Sequence, residues 1–262
     1  MTLAVEHHTL PDPRARLLLV HGYAEHRGRY AELVAQLEAQ RIECHLFDLL
    51  GHGESDGPRG HVVRFSDYLD DVQRVANEIP RDLPRILLGH SLGGLIALAY
   101  VRAHPADFDA VVVSSPFLRA QFHVPRAQLV LGRIASRILP ALRIPNPLRA
   151  EWVSRDADIV ARYTSDPHVF RITTPRFFTE SAAAQEELFA HADEIRTPAL
   201  FLLAGSDRIA DHTHAIALFH RLGSTDKTKH VYADLYHEIF NEPERATVFR
   251  DLLAWLAFRF PA

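Results

Sequence analysis

The chain has 262 residues, of which 47% are apolar and 24% charged, and its formal net charge is −4. This composition is typical of a globular domain and excludes collagen-like, low-complexity and intrinsically disordered chains. The single cysteine, Cys44, excludes an internal disulfide and a cysteine-based zinc site. The charge balance argues against nucleic acid as the main partner, because phosphate binding needs clustered positive charge. Residues 1–16 show no secretory signal, and no apolar run approaches the ~20 residues of a membrane span, so a cytoplasmic location is expected.

Short apolar runs alternate with segments of helical periodicity along most of the chain. The runs are bounded by Gly, Pro, Asp or Ser, which is typical of strands covered on both faces. They are residues 17–20, 44–47, 86–88, 110–113 and 200–203, with a further strand expected at 229–235. The segments with apolar residues at three- and four-residue spacing, which predicts helices, are residues 30–39, 65–79 and 93–104. This alternation predicts a parallel α/β sheet, whose functional residues collect at the carboxyl ends of the strands.

The alternation is interrupted between residues 117 and 195, where no comparable strand pattern appears. We therefore predict one domain in which residues 1–116 and 196–262 form the core and residues 117–195 form a mainly helical cap. Within this insertion, residues 127–142 carry an apolar stripe at helical spacing with arginines beside it. The stripe has two interpretations: it covers a cavity beneath the cap, or it makes peripheral contact with a membrane, as basic amphipathic helices do.

The motif Gly-x-Ser-x-Gly at residues 89–93 lies between a predicted strand and a predicted helix. That position is typical of a nucleophile elbow, in which a sharp turn strains the serine backbone and small neighbours allow close packing. The helix that begins after Ser91 also directs free backbone N–H groups at the site. The alternative is a glycine-rich turn in which the serine only caps the helix.

A serine hydroxyl becomes a good nucleophile near neutral pH only with a base that a third group holds in place. Asp207 and His237 each follow a predicted strand, so both are expected at the same edge of the sheet as Ser91. Asp211 and Asp234 are alternatives to Asp207, but each lies further from a strand end. The sequence therefore predicts a triad of Ser91, His237 and Asp207.

Four motifs occur in one order along the chain. They are His-Gly-Tyr-Ala-Glu-His with Arg-Tyr at 21–30, Asp-Leu-Leu-Gly-His-Gly-Glu-Ser-Asp-Gly at 48–57, the serine motif, and Gly-Ser-Asp-Arg at 205–208 followed by Tyr-His at 236–237. The insertion adds Tyr-Thr-Ser-Asp-Pro at 163–167. This combination resembles the monoacylglycerol lipase and lysophospholipase branch of the α/β-hydrolase superfamily. The resemblance implies the α/β-hydrolase fold, with a mostly parallel central sheet, helices on both faces and a mainly helical cap insertion.

The resemblance also implies an activity. The protein would be a serine esterase that hydrolyses monoacylglycerols to fatty acid and glycerol through an acyl-enzyme, with no cofactor. Ser91 would attack the ester carbonyl, His237 would transfer the proton, and Asp207 would hold the imidazole. The backbone N–H groups of Tyr23 and Leu92 would form the oxyanion hole.

The resemblance further places a glycerol-sized head group against Glu25, Arg29, His90 and Tyr163, with the acyl chain under the cap. The alternative is that Glu25 and Arg29 form a structural ion pair and that Tyr163 only packs. Tyr23 departs from the family, in which this residue is usually small or apolar. Its phenol is expected to narrow or polarise the pocket.

Other activities of this fold remain as alternatives. A lysophospholipase or a broad short-chain carboxylesterase would use the same triad. An aminopeptidase would need an acidic patch in the cap, for which Glu186 and Glu187 are candidates, and a non-catalytic hydrolase-like binding protein would not need the triad. Dehalogenases and epoxide hydrolases need Asp in place of Ser91. No metal is expected, because the histidines lack His-x-x-x-His spacing with a nearby carboxylate.

Overall fold

The computed structural model describes residues 1–122 and 125–261. The strands are β1 Val5–His8, β2 Ala15–Val20, β3 Ile42–Phe47, β4 Arg85–His90, β5 Ala110–Ser114, β6 Ile144–Pro145, β7 Ile172–Thr173, β8 Ala199–Ala204 and β9 Lys227–Tyr232. In this part of the chain, seven of them form a central sheet in the order β1-β3-β2-β4-β5-β8-β9. Only β1 pairs antiparallel with its neighbour, whereas β2 to β5, β8 and β9 are parallel. Strands β6 and β7 form a separate antiparallel pair.

Helices cover both faces of the central sheet. They are α1 Ala31–Glu38, α2 Ser66–Ala76, α3 Leu92–Ala103, α4 Arg126–Ile138, α5 Ala157–Ser165, α6 Pro175–Ala190, α7 His212–Arg221 and α8 Arg245–Arg259. Side chains of a strand alternate between its faces, so Leu18 of β2 belongs to the same buried cluster as residues of α2, α3 and α7, whereas Leu17 and Leu19 belong to the cluster that contains residues of α1 and α8. Burial on both sides explains why residues 17–20 of β2 and 110–113 of β5 are apolar at every position, and it confirms the predicted sheet class.

The predicted runs between residues 17 and 203 all form strands, and the three predicted helices are α1 to α3. The last strand was predicted at 229–235, but β9 begins at Lys227 and ends at Tyr232. Strand β1 was not predicted. Its sequence, Val-Glu-His-His, has one apolar residue, and backbone pairing with β3 holds it at the edge of the sheet.

Between β5 and β8 the chain forms α4, α5, α6 and the β6–β7 pair. Helix α6 packs on α3, and Phe177 and Leu188 of α6 belong to the same buried cluster as one face of the sheet. Helix α4 packs on α6, where the hydroxyls of Ser136 and Thr179 are 2.7 Å apart. The division into a core and a cap at residues 117–195 stays a prediction, since α6 is continuous with the core packing.

Candidate active site

Ser91 lies in the turn between β4 and α3 with φ 53° and ψ −115°. This backbone conformation is strained for a residue with a side chain, so the surroundings must hold it. The Ser91 N–H donates to the Ser114 carbonyl at 3.0 Å, and the Ser91 carbonyl accepts from the Phe117 N–H at 2.9 Å. A Cβ atom at Gly93 would clash with the carbonyl oxygen of Val20, which explains the glycine at that position. The turn therefore has the strained geometry expected of a nucleophile elbow.

Asp207 follows β8 and His237 follows β9, and the two side chains meet at the same edge of the sheet. His237 Nδ1 and Asp207 Oδ2 are 2.7 Å apart, and both side chains are buried. The other carboxylate oxygen accepts the N–H groups of Ile209 at 2.7 Å and Ala210 at 2.9 Å. Burial alone would lower the pKa of His237, but the charge of Asp207 and its hydrogen bond outweigh burial and raise that pKa above its ordinary value. Asp207 therefore stabilises the protonated imidazole.

The two alternative aspartates do not contact His237. Asp211 accepts the N–H groups of Thr213 and His214 at the start of α7 and forms an ion pair with Arg119. Asp234 is exposed in the turn after β9. Of the three candidate carboxylates, only Asp207 is positioned to orient His237.

Ser91 and His237 line the same cavity. The Ser91 hydroxyl forms no hydrogen bond with residues 1–122 or 125–261, so it is free to turn towards the imidazole or towards a bound molecule. The ring of His90 lies 4.9 Å from the ring of His237, measured between centroids. His90 is buried, and burial followed by the charge of His237 lowers the pKa of His90 to about 4. His90 is therefore neutral near pH 7 and adds no positive charge beside the base.

The loop that follows β2 comes close to the nucleophile. A Cβ atom at Gly22 would lie 3.1 Å from Ser91 Cβ and 2.7 Å from Glu25 Oε1, so this close approach requires a glycine. The Gly22 N–H is used by Glu25 Oε1 at 2.5 Å. By contrast, the N–H groups of Tyr23 and Leu92 have no acceptor within the described parts of the chain. Two unused donors therefore lie beside Ser91, as an oxyanion hole requires.

A buried ion-pair cluster borders the cavity. Glu25 accepts from the Tyr30 hydroxyl at 2.6 Å and from Arg29 Nε at 3.2 Å, and Arg29 also donates to Glu238 at 2.6 Å. The Arg29 guanidinium lies 4.9 Å from the centre of the Tyr163 ring. Burial alone would raise the pKa of Glu25, but neighbouring positive charge, including Arg29, lowers it below its ordinary value. The Glu25 carboxylate is therefore ionised, and it shares the Arg29 guanidinium with Glu238.

The predicted head-group residues differ in their access to the cavity. Glu25, His90 and Tyr163 line it, whereas Arg29 lies behind them, held between the two carboxylates. Glu238 also lines the cavity and was not predicted from the sequence. Its position directly after His237 was the available signal. Glu25 and Arg29 thus form the structural ion pair that was one of the alternatives. Glu238, which faces the cavity beside this pair, is acidic.

The cavity has a volume of about 1060 Å³, which exceeds the range typical of small-ligand pockets. Apart from the strand ends, most of its lining is apolar and comes from the segment between β5 and β8. The main apolar lining residues are Phe117, Leu129, Leu131, Leu142, Phe177 and Phe178. A small polar region beside Ser91 thus continues into a long apolar one.

The family model of the serine aminopeptidases, S33, matches residues 11–244. The chain belongs to this family. A monoacylglycerol lipase from Mycolicibacterium smegmatis is 34% identical over 250 residues, which cover 94% of this chain and 89% of that protein. The phospholipase YtpA from Bacillus subtilis is 31% identical over 241 residues, which cover 91% of this chain and 93% of that protein. The crystal structure of a Paleococcus ferrophilus monoacylglycerol lipase superposes with a TM-score of 0.91 at 32% identity, covering 98% of each chain.

These similarities confirm the α/β-hydrolase fold and the resemblance to monoacylglycerol lipases. The acidic patch that an aminopeptidase would need is not formed by the two predicted residues. Glu186 and Glu187 are exposed on α6 and do not line the cavity, and Glu187 pairs with Arg102 at 3.2 Å.

Two features of the described residues bear on other classes of function. Among residues 1–122 and 125–261, no group of three or more His, Cys, Asp or Glu side chains is arranged to hold a metal ion. Within the same ranges, every helix is too short or too polar to cross a membrane.

Proposed function

We propose that this protein is a serine esterase that hydrolyses monoacylglycerols to a fatty acid and glycerol through an acyl-enzyme. The proposal rests on the 2.7 Å hydrogen bond between Asp207 and His237. His237 lines the same cavity as the strained Ser91. A serine, an imidazole and a carboxylate in this relation perform nucleophilic acyl transfer on unrelated folds as well.

The reaction follows from which atoms remain free. His237 Nδ1 is bonded to Asp207, so Nε2 accepts the proton when Ser91 Oγ attacks the ester carbonyl. The N–H groups of Tyr23 and Leu92 then stabilise the carbonyl oxygen as it becomes negative. The tetrahedral intermediate releases glycerol, whose oxygen takes the proton back from His237. Water attacks the acyl-enzyme in the same way and releases the fatty acid.

The lining of the cavity favours a monoacylglycerol over the other esters that the same triad could cleave. An uncharged glycerol group can hydrogen-bond to Glu25, His90 or Tyr163, and the apolar lining from the cap segment suits a long acyl chain. A lysophospholipid would instead bring a phosphate towards the carboxylates of Glu25 and Glu238, which share only Arg29. Like charges in a partly enclosed site repel strongly.

The proposal is tested by offering the purified protein four substrates: a long-chain monoacylglycerol, the lysophosphatidylcholine with the same acyl chain, a short p-nitrophenyl ester and an amino-acid amide. We expect the highest kcat/KM with the monoacylglycerol and loss of nearly all turnover in Ser91→Ala. Ser224→Ala removes a buried serine outside the cavity lining and serves as the matched control. Retained turnover in Ser91→Ala would contradict the mechanism, and preference for the amide or the lysophospholipid would contradict the substrate.

We also propose that the outer face of α4 and the segment after it rest on a lipid surface. The large apolar side chains there are between 47% and 70% exposed. They are Val130, Leu131, Ile134, Ile138, Leu139 and Leu142. Such a contiguous exposed patch is uncommon on a soluble surface that has no partner. The alternative interpretation, in which the stripe covers the cavity, is not supported by the orientation of Ile134 and Ile138, which do not line it.

Charge and position support the same proposal. Residues 110–150 include six arginines and no Asp or Glu, although the whole chain carries a net charge of −4. An anionic membrane surface attracts each nearby cation by about 1 kcal/mol. Leu131 and Leu142 belong to the exposed patch and also line the cavity. The patch therefore borders the apolar part of the cavity, which suits an acyl chain.

Flotation with vesicles tests this contact. We expect wild-type protein to float with vesicles that contain anionic lipid, to float less with neutral vesicles, and to lose flotation in Ile134→Asn/Ile138→Asn. Phe258→Asn replaces an apolar residue that is 84% exposed on α8 and is the matched control, expected to float like wild type. Equal flotation of the double variant and wild type would contradict the proposal, as would wild-type protein that never floats.

A further inference from the structure

The side chain of Tyr23 joins the loop after β2 to the segment between β5 and β8. Its hydroxyl donates to the carbonyl of Ile172 in β7 at 2.7 Å. Its ring stacks on Phe177 of α6 with 4.2 Å between centroids and 25° between planes. The N–H of the same residue is one of the two unused donors beside Ser91. Tyr23 thus links the proposed oxyanion hole to β7 and α6, which both belong to the segment between β5 and β8.

The environment of the Tyr23 phenol leaves it little freedom. Phe170 and His52 meet the ring edge-on, with centroids 5.4 Å and 5.7 Å away. A Cβ atom at Gly60 would lie 2.9 Å from the Tyr23 hydroxyl oxygen and 2.7 Å from the Ile172 carbonyl oxygen. The loop that contains Gly60 therefore packs directly against the Tyr23–Ile172 hydrogen bond. Burial raises the pKa of Tyr23, so the hydroxyl keeps its proton and remains a donor.

The backbone beside Tyr23 is tied to the same segment by a second bond. The Ala24 carbonyl accepts from the Phe170 N–H at 3.3 Å, and Ala24 has a strained φ of 63°. On the other side, the Gly22 N–H is held by Glu25. The peptide that carries the Tyr23 N–H therefore lies between the bond from Gly22 to Glu25 and two bonds to residues 170–172.

We propose that the Tyr23 side chain is a positioning residue that sets the direction of its own backbone N–H in the oxyanion hole by fixing this loop to β7 and α6. The inference rests on the proposed esterase function and goes beyond it, because it makes the oxyanion donor depend on where the cap segment sits. A hydrogen-bond donor must be held to within about 0.5 Å of its productive position to act fully on the transition state. The phenol restricts the loop to that position.

The test compares Tyr23→Phe, which keeps the stacked ring and removes only the hydroxyl, with wild type. A single neutral hydrogen bond of this kind corresponds to a change of about two- to tenfold. We expect kcat on a monoacylglycerol to fall by about that factor while KM changes less than about twofold. Tyr100→Phe removes hydroxyl bonds to Gln73 and Asp107 outside the cavity lining and is expected to keep wild-type kcat.

A second readout separates positioning from a merely structural role. An alkyl boronic acid bonds reversibly to a serine oxygen, and the tetrahedral adduct places an oxygen in the oxyanion hole. We expect Tyr23→Phe to weaken boronic acid inhibition by the same factor as kcat, with inhibition by the fatty acid product unchanged. Phe177→Leu keeps the hydroxyl bond and removes the stack, so it is expected to weaken boronic acid inhibition as well.

The outcomes distinguish this inference from the proposed function. Unchanged kcat and boronic acid inhibition in both Tyr23→Phe and Phe177→Leu would overturn the positioning role. So would a rise in KM alone, because Tyr23 would then be only a wall of the cavity. If Ser91→Ala remains active, the proposed function itself fails. If Ser91→Ala is inactive and both Tyr23→Phe and Phe177→Leu match wild type, only the inference fails.

Discussion

The turn at Ser91 and the outer face of α4 differ in what holds them. Ser91 is buried and strained, and both its N–H and its carbonyl are bonded to neighbouring elements. Helix α4 packs mainly on α6, and its outer residues, Ile134 and Ile138 among them, are at least half exposed. The first region is determined by the interior of the protein. The second region is an apolar surface that no other part of the described chain covers.

This contrast separates two tasks that an enzyme for water-insoluble esters has to perform. The bond-making atoms need fixed positions, and the strand ends provide them through buried backbone contacts. Uptake of an acyl chain needs an apolar surface next to the cavity, and the α4 face provides it. Substitutions in the first region should therefore strongly lower activity or stability. Substitutions in the second region should change activity and stability little when no lipid is present.

The largest effect is expected for Asp207→Asn, at the rigid end of this comparison. Loss of the carboxylate leaves the His237 imidazole in the wrong tautomer, so kcat should fall by about 10⁴-fold. Steady-state kinetics on a monoacylglycerol measures the loss, and circular dichroism checks that the fold is kept. Asp234→Asn changes an exposed aspartate nearby and should leave kcat unchanged. A loss of less than tenfold in Asp207→Asn would show that another group orients the base.

The pH dependence of kcat/KM should follow the titration of His237. The base must be neutral to accept a proton, so activity is expected to rise with pH. Because Asp207 raises the pKa of His237 above its ordinary value of about 6.5, the midpoint should lie above that pH. Asp207→Asn removes the two strongest influences that raise this pKa and leaves burial, opposed only by the weaker effects of Glu238 and Glu25, so the residual activity should have its midpoint at lower pH. A midpoint that does not move would mean that another group titrates.

The same pKa shift has a consequence for stability. A raised pKa in the folded state means that the His237–Asp207 pair stabilises the fold below the unfolded pKa, and that this contribution is lost as pH rises through the folded value. Urea unfolding of wild type and Asp207→Asn should therefore differ more at pH 6 than at pH 9.

Much of the sheet and the predicted triad followed from the sequence because strands buried on both faces carry runs of consecutive apolar residues. Residues 17–20 of β2 and 86–88 of β4 show this pattern, and the residues that follow such strands share one edge of the sheet. Glu238 could not be found in this way, since its place depends on Arg29, which lies 209 residues earlier in the chain. Periodicity along residues 127–142 revealed an apolar face on α4 but gave no information on whether protein covers it.

Two helical glycines, one in α3 beside Ser91 and one in α4, allow the packing of these two regions to be compared directly. Gly93→Ala in α3 adds a Cβ that clashes with the carbonyl oxygen of Val20, so the free energy of unfolding should fall by about 1–3 kcal/mol. Gly132→Ala in α4 meets only Phe178, at 3.7 Å and 3.9 Å, and should raise it by about 1 kcal/mol through helix propensity. Urea unfolding compares both with wild type. Equal losses would show that α4 is packed as tightly as α3.

The smallest effect is expected at Ser181 of α6, whose buried hydroxyl lines the cavity and has no hydrogen-bond partner among the described residues. Ser181→Ala should raise the free energy of unfolding by about 0.5–1 kcal/mol, because a helix favours alanine and no hydrogen bond is lost. If an acyl chain lies along α6, KM for a long-chain monoacylglycerol should also fall, by about twofold, while KM for a short ester stays the same. Ser136→Ala removes a hydroxyl that is bonded to Thr179 and should lower stability instead, by about 1 kcal/mol. A rise in the long-chain KM of Ser181→Ala would show that this hydroxyl binds a polar part of the substrate, and the acyl chain would then have to follow α4 instead of α6.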